Sequence, residues 1–194
     1  GNQTVINGAG VMTISRFDEQ TGTLARRAAQ EFIDKRVKGV ILDLRDNGGG
    51  YLTAAQALAS VWLNDQVVVT EKTGGKVVDT VKTERHALLG DMKTVVLTNG
   101  NTASASEIVA GALQEYGKAT LIGEKTYGKG TVQKIVNLSD GRILKVTTAR
   151  WYTPKGKNIT KEGITPDKTI HITKDDANAG KDTQMEAAQA VLAP

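Results

Sequence analysis

Ser104 stands where a strand-like run, Thr94-Val95-Val96-Leu97-Thr98, breaks into small residues and a helical pattern begins. From there Ala105, Ile108, Val109, Ala112, Leu113 and Tyr116 recur at the three-or-four spacing of one helical face, which puts Ser104 at or beside the N-cap. A serine so placed has two uses: its oxygen caps the first-turn amides, or it points outward as a nucleophile. A nucleophile needs a base. His86 and His171 lie in unrelated parts of the chain without a carboxylate pattern around them, and read as surface or strand residues rather than as a base or a metal site. A lysine serves when it is neutral, a form favoured by burial because burial removes the water that stabilises an ammonium. Lys129, between Gly128 and Gly130 with Tyr127 and Val132 nearby, suits such packing, and Lys125 competes with it. The ordinary role of a lysine is a solvated surface charge.

A third stretch, Arg45-Asp46-Asn47-Gly48-Gly49-Gly50, follows directly on the apolar run Val40-Ile41-Leu42-Asp43-Leu44. Glycines at the carboxyl end of a strand let backbone amides approach a ligand closely. The spacing matches neither a phosphate loop nor a dinucleotide fingerprint, and a plain turn is the alternative.

The elements that must position these residues read as one α/β domain. Val5-Ile6 and Val11 to Ile14, on either side of a glycine break, belong to one sheet edge or hairpin. Thr23 is the expected cap of a helix whose buried stripe is Leu24, Ala25, Ala28, Ala29, Phe32 and Ile33. Val40 to Leu44 is a strand buried on both faces, so the strand, helix, strand order implies a parallel unit with a right-handed crossover. Ala54, Ala55, Leu58, Val61 and Trp62 mark a second helix, and Ala119 to Gly123 another strand. Two hairpins are expected, 66–70 with 76–81 around Thr73-Gly74-Gly75, and 131–136 with 143–151 through Ser139-Asp140-Gly141. A short helix from Thr183, carrying Met185, Ala188 and Leu192, ends the chain.

Composition bounds the rest. A chain of 194 residues, 39% of them apolar, suits a single domain with a sizeable core. Without cysteine there is no disulfide, thiolate metal site or thiol nucleophile. A net charge of +4, with few aromatic residues, gives little support to nucleic-acid binding. No apolar run approaches the roughly 20 residues of a membrane span. A start at Gly-Asn-Gln rather than Met suggests a processed or excised portion of something longer.

Leu42-Asp43-Leu44-Arg45-Asp46-Asn47-Gly48-Gly49-Gly50, Asn101-Thr102-Ala103-Ser104-Ala105-Ser106-Glu107-Ile108 and Gly123-Glu124-Lys125-Thr126-Tyr127-Gly128-Lys129-Gly130-Thr131-Val132-Gln133 follow one another along the chain. Trp151-Tyr152-Thr153-Pro154 and Gly163-Ile164-Thr165-Pro166 close the series. In this order they resemble the core motifs of the carboxyl-terminal processing peptidases, also called tail-specific proteases, from about residue 7 to about residue 170. Linked motifs of this kind are far more specific than any one of them. The resemblance implies a Clp-protease/crotonase-like α/β core, with a mostly parallel sheet flanked by helices and a β-hairpin extension. It divides the chain into a serine protease core, 1–170, and a C-terminal tail with a short helix, 171–194.

By the same resemblance Ser104 is the nucleophile, Lys129 the general base and Gln133 the residue that orients the lysine. The family's nucleophile stands 25 positions before its lysine, the interval from Ser104 to Lys129. Ser106 then points elsewhere, about 200° around the helix. The amides of Gly50 and Ala105 are implied as the oxyanion hole, consistent with a glycine loop and a helix N-terminus facing a developing negative charge. Four residues of regular strand span about 13 Å, so Lys129 and Gln133 meet only if the turn at Gly130 shortens the path or their side chains converge. No cofactor or metal is implied. The partners are protein or peptide substrates, and the setting is extracytoplasmic: periplasm, cell envelope or thylakoid lumen. The family usually carries a PDZ domain ahead of this core. The fewer than 40 residues before Val40 are already taken up by core elements, so an isolated core with poor selectivity for a free substrate tail is expected. The rival class is a catalytically silent binding module of the same fold, holding proteins or hydrophobic ligands.

Overall fold

The computed structural model describes residues 1–138 and 142–193. Its first hairpin joins β1 (Asn2–Ile6) to β2 (Ala9–Thr13), and the two turn residues Asn7 and Gly8 both take positive φ, as a tight two-residue hairpin turn requires. From β2 the sheet continues in parallel through β3 (Gly39–Asp43), β6 (Thr94–Thr98), β7 (Thr120–Gly123) and β10 (Lys168–Thr169), giving the order β1-β2-β3-β6-β7-β10. Every residue of β3 and β6 is buried, which is why the middle of each, Val40-Ile41-Leu42 and Val95-Val96-Leu97, is apolar on both faces.

Helices α1 (Thr21–Asp34), α2 (Leu52–Ala59) and α3 (Ala105–Glu115) supply one cluster of the core, in which Phe32, Leu58, Ile108 and Leu113 pack with Leu42 and Val96 of the sheet. Two local expectations shift. Thr23 does not cap α1: the helix starts at Thr21 with Gln20 at the N-cap, because Thr21 exchanges hydrogen bonds with Asp18 in the preceding turn. Val61 and Trp62 are buried as their spacing suggests, but in the turn beyond α2, where Trp62 Nε1 donates to Thr94 Oγ1 at 2.9 Å.

The other face of the sheet is covered by α5 (Thr183–Leu192), whose Ala188 and Leu192 join Val11, Ile41, Val95, Leu97 and Ile122 in a second cluster. Of the segment expected as a tail, α5 therefore packs on the main sheet, whereas the five-residue α4 (Lys174–Asn178) before it has no buried residue. Without α5 those alternate apolar side chains of the strands would face water.

The expected hairpin extension is larger than one hairpin. Strands β4 (Val67–Thr73), β5 (Lys76–Lys82), β8 (Thr131–Asn137) and β9 (Ile143–Tyr152) make a four-stranded antiparallel sheet in the order β5-β4-β9-β8. Both expected hairpins are present, and β4 pairs with β9 through Thr70, Glu71 and Lys72 opposite Tyr152, Trp151 and Arg150. Trp151 Nε1 donates to Glu71 at 3.0 Å, and Lys72 Nζ lies 4.5 Å from the Tyr152 ring centre. The Ser139-Asp140-Gly141 turn lies outside the described residues. No helix among the described residues is long and apolar enough to cross a membrane.

Candidate active site

Three loops meet at the N-terminus of α3: residues 45–50 after β3, 99–104 after β6 and 124–130 after β7. All three leave the carboxyl ends of parallel strands, the edge at which an open α/β sheet builds its sites. The first two are joined side chain to backbone. Thr102 Oγ1 donates to Leu44 O at 2.9 Å, the Ala103 amide and Ser106 Oγ both donate to Asn47 O at 3.0 Å, and Asn99 and Asn101 donate to the Asp46 carboxylate. Those donations, Asn101 first, hold the Asp46 carboxyl below its ordinary value.

Between Asn99 and Glu107 every polar side chain except one is committed to such a contact. The exception is Ser104. Its hydroxyl lies near the Glu107 amide in a capping-box arrangement, but makes no hydrogen bond of ordinary geometry to the helix. The serine is half-buried, and its φ of 59° and ψ of −120° fall in a region that costs an L residue on the order of 1–3 kcal/mol. The neighbours over-determine it: the Ser104 amide donates to Glu107 Oε2 at 2.9 Å, and the Gly49 backbone presses against it. A Cβ on Gly49, whose φ is +104°, would lie 2.7 Å from Ser104 Cβ and 2.9 Å from Ala103 O. Next to it, the amides of Gly50 and Ala105 have no hydrogen-bond partner among the described residues, whereas those on either side of Gly50 are taken: Gly49 by Asn47 and Tyr51 by Phe17. The serine, the helix N-terminus and the two open amides share one corner. Ser106 is buried, its hydroxyl turned to Asn47 O.

Sequence reasoning missed the residue that binds the third loop to this corner. Glu107 is 0% exposed, and its carboxylate accepts four hydrogen bonds: from the amides of Ser104 and Lys129 on Oε2, both at 2.9 Å, and from Thr126 Oγ1 at 2.5 Å and the Gly128 amide at 2.7 Å on Oε1. Ser104-Ala105-Ser106-Glu107 is itself a capping-box pattern, which could have singled it out. On its far side the same loop is clamped by residues 159–164. The Lys161 amide donates to Gly128 O, Thr160 Oγ1 and the Trp151 amide donate to Gly130 O, and a Cβ on Gly130 would lie 2.6 Å from the Thr160 amide nitrogen.

The backbone of Lys129 is thus fixed, but its side chain is exposed, and Tyr127 beside it is 66% exposed. The dry packing expected around the lysine is not supplied by this chain, because glycines at 128 and 130 bring backbone, not apolar side chains, against the segment 159–163. Gln133 is exposed as well, opposite a bulge between β8 and β9 at Val132 and Gln133. Among the described residues no hydrogen bond joins Ser104 to Lys129 or Lys129 to Gln133. Lys125 is exposed. His86 is exposed, and the exposed His171 contacts Glu124 at 2.9 Å, so both histidines are surface residues. No group of three His, Asp or Glu side chains among the described residues is arranged as metal ligands would be.

A model of peptidase family S41 matches residues 8–170. A probable CtpA-like serine protease of Staphylococcus epidermidis is 39% identical over 167 residues, covering 85% of this chain and 34% of that protein. Its counterpart in Staphylococcus aureus strain COL is 38% identical over the same coverage. The chain therefore spans about a third of the length of the curated relatives it matches. Among solved structures, a photosystem II D1 C-terminal processing protease superposes with a TM-score of 0.80 at 35% identity, covering 84% of this chain and 42% of that one. A putative peptidase from Parabacteroides merdae shares the fold, with a TM-score of 0.79 at 22% identity over 99% of this chain and 64% of the other.

Proposed function

The chain belongs to peptidase family S41, with the Clp-protease-like α/β fold of its relatives, and on that footing we propose that it is the core of a serine endopeptidase that cleaves peptide bonds in protein substrates. One observation carries the reading: in a stretch where every other polar side chain is committed to a hydrogen bond, the Ser104 hydroxyl makes none of ordinary geometry, at a strained helix start beside two amides with no partner among the described residues. Ser104 Oγ attacks the substrate carbonyl, and the Gly50 and Ala105 amides receive the oxyanion. Lys129 Nζ takes the serine proton and returns it to the leaving amine, Gln133 orients the lysine, and water then releases the acyl group from Ser104.

Since Lys129 and Gln133 are exposed and, among the described residues, neither hydrogen-bonds to Ser104, the reading requires them to engage the serine when a peptide lies in the cleft. Hydrogen bonds between catalytic groups often tighten only in the substrate complex. The proposed substrates are extended segments of proteins or peptides. The proposed setting is extracytoplasmic: periplasm, cell envelope or thylakoid lumen.

A fluorophosphonate probe followed by mass spectrometry tests this reading. Ser104 is modified in the native chain and the adduct is lost in Ser104→Ala. Lys129→Arg, which keeps the charge and removes the base, lowers labelling and peptide cleavage by at least about a hundredfold. The exposed Lys129 favours a second reading, a catalytically silent binding module of the same fold, which predicts no adduct at Ser104 at any pH.

A further inference from the structure

We propose that Asp182 and Gln184, at the start of α5, are positioning residues for this reaction: through Arg45 they hold the loop that carries the Gly50 amide. The proposal rests on the reading of Ser104 and Gly50 given above, and makes the C-terminal helix part of the catalytic scaffold.

The path begins in β3. Ile41 belongs to the cluster covered by α5 while Val40 and Leu42 belong to the other, so strand alternation puts Asp43 on the α5 side. The Arg45 side chain, 14% exposed, is shared between two elements. Towards β3, Nε donates to Asp43 Oδ1 at 3.0 Å and Nη2 to Asp43 Oδ2 at 2.7 Å. Towards α5, Nη1 donates to Asp182 Oδ1 at 2.9 Å and to Gln184 Oε1 at 3.1 Å, and Nη2 lies 2.9 Å from Asp182 Oδ2. Each α5 residue is anchored in turn. Asp182 caps the helix by accepting from the Met185 amide, and the buried Gln184 donates to Ile170 O at 2.7 Å, just beyond β10.

There is little slack between Arg45 and Gly50. The Asp46 amide donates to Asn99 Oδ1, Asn47 is fully buried with its side chain held by Ile14 O and the Gly49 amide, and Gly49 O accepts from Phe17. A shift of the guanidinium is therefore passed along the loop to the amides beside Ser104, and displacements well under 1 Å suffice to slow a positioned reaction.

Charge makes the link separable from folding. Arg45 faces two carboxylates, so removing Asp182 leaves a balanced Asp43–Arg45 pair rather than a stranded buried charge. Serine and asparagine both cap helices well. Asp182→Ser keeps a cap but is too short to reach Arg45, whereas Asp182→Asn keeps the cap and one acceptor for Nη1.

The test compares the native 194-residue chain with both variants, measuring the fluorophosphonate labelling rate at Ser104 and amide hydrogen exchange. The expected result is labelling slowed about tenfold in Asp182→Ser and about threefold in Asp182→Asn, with faster exchange at residues 46–50 and unchanged protection in α5. Native labelling and exchange at 46–50 in both variants overturns the proposal. If α5 itself loses protection in Asp182→Ser, Asp182→Asn decides: slowed labelling with α5 intact supports the link, native labelling overturns it. No labelling of the native chain sinks the protease reading instead, and the exchange at 46–50 then decides the link by itself.

Discussion

Glu107 is the residue on which the arrangement of Ser104 and Lys129 depends, although its carboxylate touches only backbone amides and one hydroxyl. Four donors converge on its two oxygens in a site closed to water, so no solvent replaces them when the acceptor is removed. Glu107→Ala should destabilise the protein by about 3–5 kcal/mol, from several buried donors left unpaired at roughly 1–3 kcal/mol each with partial relaxation. Glu107→Gln keeps the shape but turns an NH2 group towards two of the donors. We expect a smaller loss, about 1.5–3 kcal/mol by urea unfolding, together with a fall in Ser104 labelling that native-like stability at low temperature does not restore. Labelling at the native rate in Glu107→Gln would show that the two loops hold their places without this carboxylate.

At the scale of elements, the site is a junction of three strand-to-helix or strand-to-strand connections, and the glycine loop after β3 is its tightest point. Gly49 approaches Ser104 with a backbone angle that L side chains rarely adopt, so Gly49→Ala both strains the loop and pushes a methyl against the serine. The expected outcome is a labelling rate at least about a hundredfold lower, with far-ultraviolet circular dichroism unchanged because neither the sheet nor the helices depend on that Cβ position. Gly48, whose Cβ would meet nothing within 4 Å and whose φ is not positive, is the control: Gly48→Ala should label at close to the native rate.

For the whole molecule, the C-terminal helix and the carboxylates set how the fold responds to truncation and to acid. Leu192 packs so closely on β3 that a Cβ on Gly39 would lie 2.6 Å from it. Leu192→Ala should cost about 2–4 kcal/mol, read as a lower urea midpoint with unchanged slope. Several carboxyls sit below their ordinary values. Burial pushes Asp182 up, but hydrogen bonds from Arg45 and the Met185 amide outweigh it; the amides of Asn101 and Asn99 lower Asp46; the Gln20 amide lowers Asp18. Because each folded value lies below the unfolded one, these groups contribute stability that is complete above about pH 4–5 and is lost as pH falls through the folded values. Urea midpoints should therefore be flat between pH 7 and pH 5 and drop below about pH 4, with a shallower drop in Asp46→Asn.

Local pattern alone determined the break at Ser104, the helix that starts there, the fully buried strands and the glycine loop after β3. Each of these is written in near-neighbour spacing, where side-chain direction follows the 3.6 or 2.0 period of the backbone. The ordered motifs likewise pointed to the family before any contact was visible. Tertiary structure alone decided four things. It joined β4 to β9 across some 80 residues, a pairing that neither hairpin encodes by itself. It docked α5, which looked like a tail because its few apolar residues gain meaning only against the exposed second face of the sheet. It gave Glu107, outwardly a polar residue in the first turn of a helix, four partners, two of which, Gly128 and Lys129, lie more than 20 positions away. And it left Lys129 in water, because burial is a property of what packs around a residue in space, and the glycines beside it bring no side chains to enclose it.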